Sequence, residues 1–149
     1  KKMVFSKAAA SELHVFAGAV RDIINRSFDS FLQDDVELAK TVEPLEACID
    51  DINVNVKSRH IERLTTGQCT IELGFVLTDI STNFERVSDH CSNIAVYQIH
   101  VPKDEYDTHE YLQNVKHQEH AEFDREEMAY EKRYRLPDVA KAQMAEAGE

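Results

Sequence analysis

The chain reads as an all-α protein, an antiparallel up-down three-helix bundle followed by a fourth, charged helix. Three observations predict this. The 149 residues include only four glycines and three prolines, so long helices meet few interruptions. Hydrophobic residues make up 42% of the chain and recur at helical rather than alternating spacing. Capping and breaking residues cut that pattern into segments of roughly 25 to 35 residues. The length suits one domain with a respectable core.

Ser6 is placed to cap the first helix, with Phe5 as a staple ahead of an alanine-rich start. Leu13, Phe16, Ala17, Val20, Ile23, Ile24, Ser27, Phe28 and Phe31 then keep helical spacing to Gln33. Asp34 with Glu37 reads as a capping box for a second helix running to Leu64, with Leu38, Val42, Leu45, Ile49, Ile52 and Val56 inward. Pro44 requires either a kink in that helix or a start near it. Thr65-Thr66-Gly67 is a stop and turn, with Gly67 suited to a left-handed backbone. A third helix follows from Gln68 to His100, stopped by Pro102. Asp107 with Glu110 offers a cap for the charged helix, which extends to Arg133 before Pro137. The expected divisions are residues 5–101 for the bundle, 102–135 for the added helix and 136–149 for a frayed tail with little to bury.

On a helical wheel centred at Ile80, the residues Leu73, Val76, Leu77, Phe84, Val87, Cys91, Ile94 and Ala95 fall within roughly 60° of one line. Opposite that line, Glu85, Asp89 and Asn93 follow one another at four-residue intervals and form a single ridge. Two carboxylates and an amide without an interleaved lysine favour a cation, and hard divalent or trivalent metals suit oxygen ligands. In a hairpin turning near Thr66, Glu46 and Asp50 are expected level with Glu85 and Asp89. The matched pairs would supply four carboxylates. A solvated acidic face is the plainer alternative.

The net charge of −11 excludes the phosphate-neutralising basic surface of a nucleic-acid binder. No run reaches the roughly 20 apolar residues of a membrane-spanning helix. Cys48, Cys69 and Cys91 lack CxxC spacing and read as reduced core thiols. His60 reads as a structural histidine near the turn, and Asp79 with His90, near Arg86 and Glu72, as an ion-pairing face. His109, His117 and His120 suggest zinc only weakly, because no compact further ligand set accompanies them.

Arg59-His60-Ile61-Glu62-Arg63-Leu64, Gly67-Gln68-Cys69 and Glu85-Arg86-Val87-Ser88-Asp89-His90-Cys91-Ser92-Asn93-Ile94-Ala95 resemble the second three-helix repeat of a PhoU-like domain. The version they most resemble is the cytoplasmic C-terminal one of bacterial sodium/phosphate cotransporter family proteins. The resemblance covers Phe5 to Ile99, and the charged helix to Tyr134 is similar to that subgroup.

The resemblance implies a metal-binding regulatory bundle that controls phosphate uptake and is not an enzyme. Paired ExxxD motifs would hold iron or another metal on the bundle surface. By motif, the implied ligands are Glu85 and Asp89, then Glu46 and Asp50, and the residue ridge adds Asn93. All-oxygen ligation also admits manganese, magnesium or calcium. The implied partners are the transmembrane transporter domain of a parent protein and a second PhoU-like repeat, and the implied location is the cytoplasmic face of the inner membrane. The family carries two such repeats and this chain one, so a homodimer is expected to replace the missing half, unless the charged helix folds back instead. Two other classes compete: a metal-free structural interaction module, and a di-iron carboxylate oxidase. The latter uses inward Glu-x-x-His motifs, and the sequence contains none.

Overall fold

The computed structural model describes residues 3–100 and 108–139, with the side chains of the last helix described from residue 120 onward. The described residues form helices and connecting turns: α1 (Lys7–Gln33), α2 (Val36–Lys40), α3 (Val42–Thr65), α4 (Ile71–His100) and α5 (Thr108–Arg133).

Ser6 caps α1 as its position requires, its hydroxyl accepting the Ala9 N–H at 3.2 Å. At the other end Asp34 takes a left-handed backbone, φ 52°, and closes α1. The N-cap of α2 is therefore Asp35, one residue later than the Asp34/Glu37 box predicts, with Oδ1 accepting the Leu38 N–H at 3.0 Å. The expected single second helix is divided at Thr41. Pro44 has no N–H to offer the carbonyl four residues back, so the ladder cannot run through. Thr41 tightens the break by donating both its N–H (3.1 Å) and its hydroxyl (2.7 Å) to the Leu38 carbonyl. Pro44 then sits in the first turn of α3, where a missing N–H costs little. Gly67 holds φ 71° in the turn to α4, as its position predicts.

The core lies where α1, α3 and α4 meet, with Phe16, Ile23, Leu45, Ile49, Val56 and Leu77 fully enclosed. Phe16 meets Phe84 edge to face, ring centroids 5.0 Å apart. Of the inward set expected for the second helix, Val42, Leu45, Ile49, Ile52 and Val56 are buried in α3, while Leu38 falls in α2 and is half-buried. For α4 the expectation needs correction: Val76, Val87 and Ile94 are exposed, whereas Gly74, Ser81, Ser88 and Ala95 are buried with Leu77 and Cys91. The helix is turned by about 60° from the orientation its apolar line suggests. Small side chains let its backbone approach closely: Ser27 donates to the Cys91 carbonyl at 3.2 Å, and Gln98 Nε2 to the Ser30 carbonyl at 2.7 Å. A Cβ at Gly74 would stand 3.0 Å from His60 Nε2.

Between α1 and α3, buried Glu12 receives both arms of Arg63, Nη1 at 3.1 Å and Nη2 at 2.9 Å, and Arg59 at 3.3 Å. Arg59 also donates to the Pro137 carbonyl at 2.6 Å, tying down the segment after α5. The charged helix folds back as the fourth member of the bundle. Tyr130 is buried beneath Arg26, whose guanidinium lies 5.2 Å from the ring centroid, and Tyr134 donates to Asp22 at 2.8 Å. The Asp107/Glu110 cap and the segment from residue 140 fall outside the described residues. So do the side chains of His109 and His117, while His120 is exposed.

Candidate metal centre

The turn of α4 brings Glu85 round toward α3, and the groove between these helices collects the acidic residues. The register differs from a simple hairpin count by about one turn: Glu85 lies level with Asn53, and Ser92 with Glu43. Asn53 Nδ2 donates to Glu85 Oε2 at 2.8 Å, Lys57 Nζ stands 3.5 Å from the same oxygen, and Ser92 donates to Glu43 Oε1 at 3.0 Å. Asp50 and Asp89 occupy the exposed lip, with Glu46 half-buried beneath them.

Electrostatics confirm that these groups sense one another. Burial, followed by the charges of Asp50, Glu43 and Asp89, pushes the Glu46 carboxyl up to about 7. Asp50 is raised by burial and by Glu85, Asp89 and Asp51, with Lys57 opposing. Five carboxylates thus share the groove with one lysine. Among the described residues, no three His, Cys, Asp or Glu side chains converge on a point where one ion would sit. The donor chemistry nevertheless fits a hard cation: all-oxygen, anionic, and under-compensated as it stands.

Sequence reasoning missed Asn53. It is 4% exposed, its amide nitrogen is satisfied by Glu85, and its Oδ1 has no hydrogen-bond partner among the described residues. The signal was present, since Glu46, Asp50 and Asn53 follow an i, i+4, i+7 pattern on α3. Asn93 is placed elsewhere, on the outer side of α4 beside Phe31, Ile94 and Tyr97.

The remaining singled-out residues lie apart from the groove. His60 is buried at the α3–α4 turn with Cys69 Sγ 3.8 Å from Nδ1, and burial lowers its pKa. Cys69 therefore lies in the turn, half-exposed, rather than on the buried line of α4. Asp79, Arg86 and His90 are exposed, with no ion pair among the described residues. Burial, then Glu131, Asp51 and Glu127, push the Cys48 thiol up to about 12, and burial raises Cys91. A cavity of about 570 Å³ lies beyond the groove's upper end, between α2, the end of α4 and α5. It mixes Glu43 and Glu126 with Lys40 and Arg125.

Residues 13–97, more than half of the chain and most of α1 to α4, match the family model for the PhoU domain. The chain belongs to the PhoU domain family. The PhoU match ends before α5. Among curated proteins, the chain is 28% identical over 90 residues to the phosphate-specific transport system accessory protein PhoU homolog 1 of Thermotoga maritima. That alignment takes in 60% of this chain and 39% of the relative. The chain thus spans about two-fifths of the relative's length. No solved structure matches it.

Proposed function

We propose that this PhoU domain is a non-catalytic regulator of phosphate transport whose α3–α4 groove takes up a hard divalent or trivalent cation, with iron among the candidates. The observation that carries the metal reading is the cluster of Glu46, Asp50, Glu43 and Asp89, in which burial first and the neighbouring charges second push the Glu46 carboxyl up to about 7. A carboxyl that resists ionisation because it is partly buried, and then because its neighbours are charged, ionises more readily once a cation joins them. Glu46, Asp50, Glu85 and Asp89 would hold the ion after small side-chain rotations, with the free oxygen of Asn53 at the same height as Glu85. The ion would supply fixed positive charge that draws α3 and α4 together.

The role in phosphate transport is supported by membership of the PhoU family and by likeness to a phosphate transport accessory protein. No described helix is long and apolar enough to cross a membrane. Acting on transport from this chain therefore means docking against a separate membrane-embedded transporter segment, read here as that of a sodium/phosphate cotransporter, on its cytoplasmic side. A non-enzymatic role agrees with the thiol chemistry: a nucleophilic cysteine needs a lowered pKa, and Cys48 and Cys91 are shifted upward.

Elemental analysis of protein purified without chelator tests the site. Wild type is expected to carry metal that the Glu85→Ala/Asp89→Ala double variant lacks at unchanged helix content. Equal content in both discards the site. Phosphate uptake by the parent transporter carrying Glu85→Ala should then depart from wild type with the transporter still in the membrane. A second reading, a metal-free interaction module, is favoured by the lack of a converged three-ligand group among the described residues. Unchanged uptake and absent metal would establish it.

A further inference from the structure

The outer face of the α3–α4 pair changes character along its length. Its upper half is the acidic groove. Its lower half, toward the turn at Gly67, is apolar and uncovered: Ile61 is 61% exposed and Phe75 70%, with Val54 and Ile71 between those values. Val54 and Ile61 are seven residues apart on α3 and therefore nearly in line, and Ile71 and Phe75 are four apart on α4. The packing of the two helices joins these pairs. Gly74 stands against His60, where an added Cβ would lie 3.0 Å from Nε2, and in an antiparallel pair the residue after each contact position turns toward the same side. Those residues are Ile61 and Phe75. Among the described residues α5 lies against the other side of α3, its tyrosines reaching across to Arg26 and Asp22 of α1, so the face stays open.

The charge on this face is one-sided. Glu62, Glu72 and Asp79 border the apolar half, and Glu43, Glu46, Asp50, Glu85 and Asp89 hold the other. The bases against them are Arg86 and Lys57, and Lys57 already lies 3.5 Å from Glu85.

We infer that the outer face of α3 and α4 docks a basic amphipathic helix, with apolar residues at one end on Ile61, Ile71 and Phe75 and Lys or Arg at the other among Asp50, Glu85 and Asp89. Charge selects this occupant. A second copy would set the same acids against themselves, and an anionic bilayer surface would be repelled in the same way. Membrane proteins carry an excess of Lys and Arg in the cytoplasmic segments beside their spans, which is the composition the face calls for. Only that source rests on the transport reading above; the chemistry of the surface does not. From Ile61 up to Glu43 the face runs about 27 Å at the helical rise, the length of a helix of about 18 residues. The mode is a helix laid in a groove, with apolar anchors for affinity and charge for orientation.

Isothermal titration of the full chain with chelator present tests this independently of any metal. The probe is a synthetic helix of about 18 residues, leucines at helical spacing in one half and lysines in the other. It is expected to bind with a Kd on the order of 10 µM at low salt and at least tenfold more weakly at about 0.5 M salt. Phe75→Ser with Ile61→Ser should weaken binding at least about tenfold while circular dichroism stays unchanged, since both side chains are exposed. Asp50→Asn with Asp89→Asn should weaken it about tenfold and flatten its salt dependence. Removing the same charge from α5, by Asp124→Asn with Glu131→Gln, should leave it within about twofold. No binding at about 100 µM peptide overturns the proposal. So does equal binding of a peptide of the same composition with leucine and lysine alternating, or an α5 variant as impaired as the groove variant, since either would reduce the effect to undirected attraction by the net charge of −11. Self-association or binding to phosphatidylcholine vesicles that is lost with Phe75→Ser and Ile61→Ser gives the face to a second copy or to a bilayer, and also overturns it. Peptide binding by a protein that takes up no metal discards the metal reading alone, and metal uptake without peptide binding discards this one alone.

Discussion

Two glutamates, Glu12 and Glu46, show how one bundle treats buried negative charge in opposite ways. Glu12 is 2% exposed and is met by Arg63 through two bonds and by Arg59 through a third. Glu46 is half-buried and is met by Asp50, Glu43 and Asp89. The first arrangement is compensated in charge and pins α1 to α3, with Arg63 Nε the one guanidinium nitrogen of that residue that finds no partner among the described residues. The second is incomplete, and it weakens the fold that contains it unless a cation arrives. Compensated charge marks structure here, and uncompensated charge marks the candidate site.

The largest effect should come from breaking the compensated side. Glu12→Ala leaves two guanidinium groups facing a cavity, and loss of one partner of a buried pair costs about 3–5 kcal/mol. Urea denaturation should show that loss with chelator or with metal present. A loss below about 1 kcal/mol would mean that Arg63 finds other partners or water, and the contrast with Glu46 would lose its meaning.

A smaller effect of opposite sign is expected from Glu46→Gln. The folded protein holds the Glu46 proton up to about pH 7, whereas the unfolded chain releases it near the ordinary carboxyl value of 4.5. The folded state therefore binds more protons between those values, and its stability falls as pH rises through that window. Asp50, also raised, acts in the same direction. His60 acts against both: burial lowers its pKa, so its contribution is present above pH 6.5 and lost as pH falls through the folded value. Comparing wild type with Glu46→Gln cancels His60. The metal-free variant should be the more stable by about 1 kcal/mol at pH 8, with a flatter profile from pH 5 to 8. Metal should stabilise wild type at pH 8 and the variant much less. Identical pH profiles for the two proteins would remove Glu46 from the site.

One side of this contrast, the acidic residues around Glu46, was legible in the residues, and the other, Glu12 with Arg63, was not. The inward set of α3, the Ser6 cap, the turn at Gly67 and the two ExxxD pairs follow from periodicity and local chemistry. The errors share a cause: local rules say nothing of how closely two backbones approach. The apolar line takes in Val87 and Ile94 and passes over Ser81 and Ser88. The close contact of α4 with α1 selects small side chains and pushes large ones aside, and the same rotation shifts the register that brings Asn53 to Glu85. The Asp34-to-Asp35 shift is finer still. Both residues can cap, and the left-handed closure of α1 consumes the first.

Asn53→Ala should have the smallest effect on the empty protein and is the sharpest test of where the site ends. The substitution removes a good interaction, the 2.8 Å bond to Glu85, together with a bad one, a buried Oδ1 with no partner. A hydrogen bond to a charged group stabilises by about 1.5–3 kcal/mol, and an unsatisfied buried polar atom costs about 1–3 kcal/mol, so the two nearly cancel. Metal-free stability should move by less than about 1 kcal/mol. If Oδ1 is a ligand in waiting, metal affinity should fall about tenfold in isothermal titration, because the metal-loaded protein loses a favourable contact that the empty one never had. A loss of stability above about 2 kcal/mol with affinity unchanged would make Asn53 a clamp on Glu85 and confine the ligand set to the carboxylates.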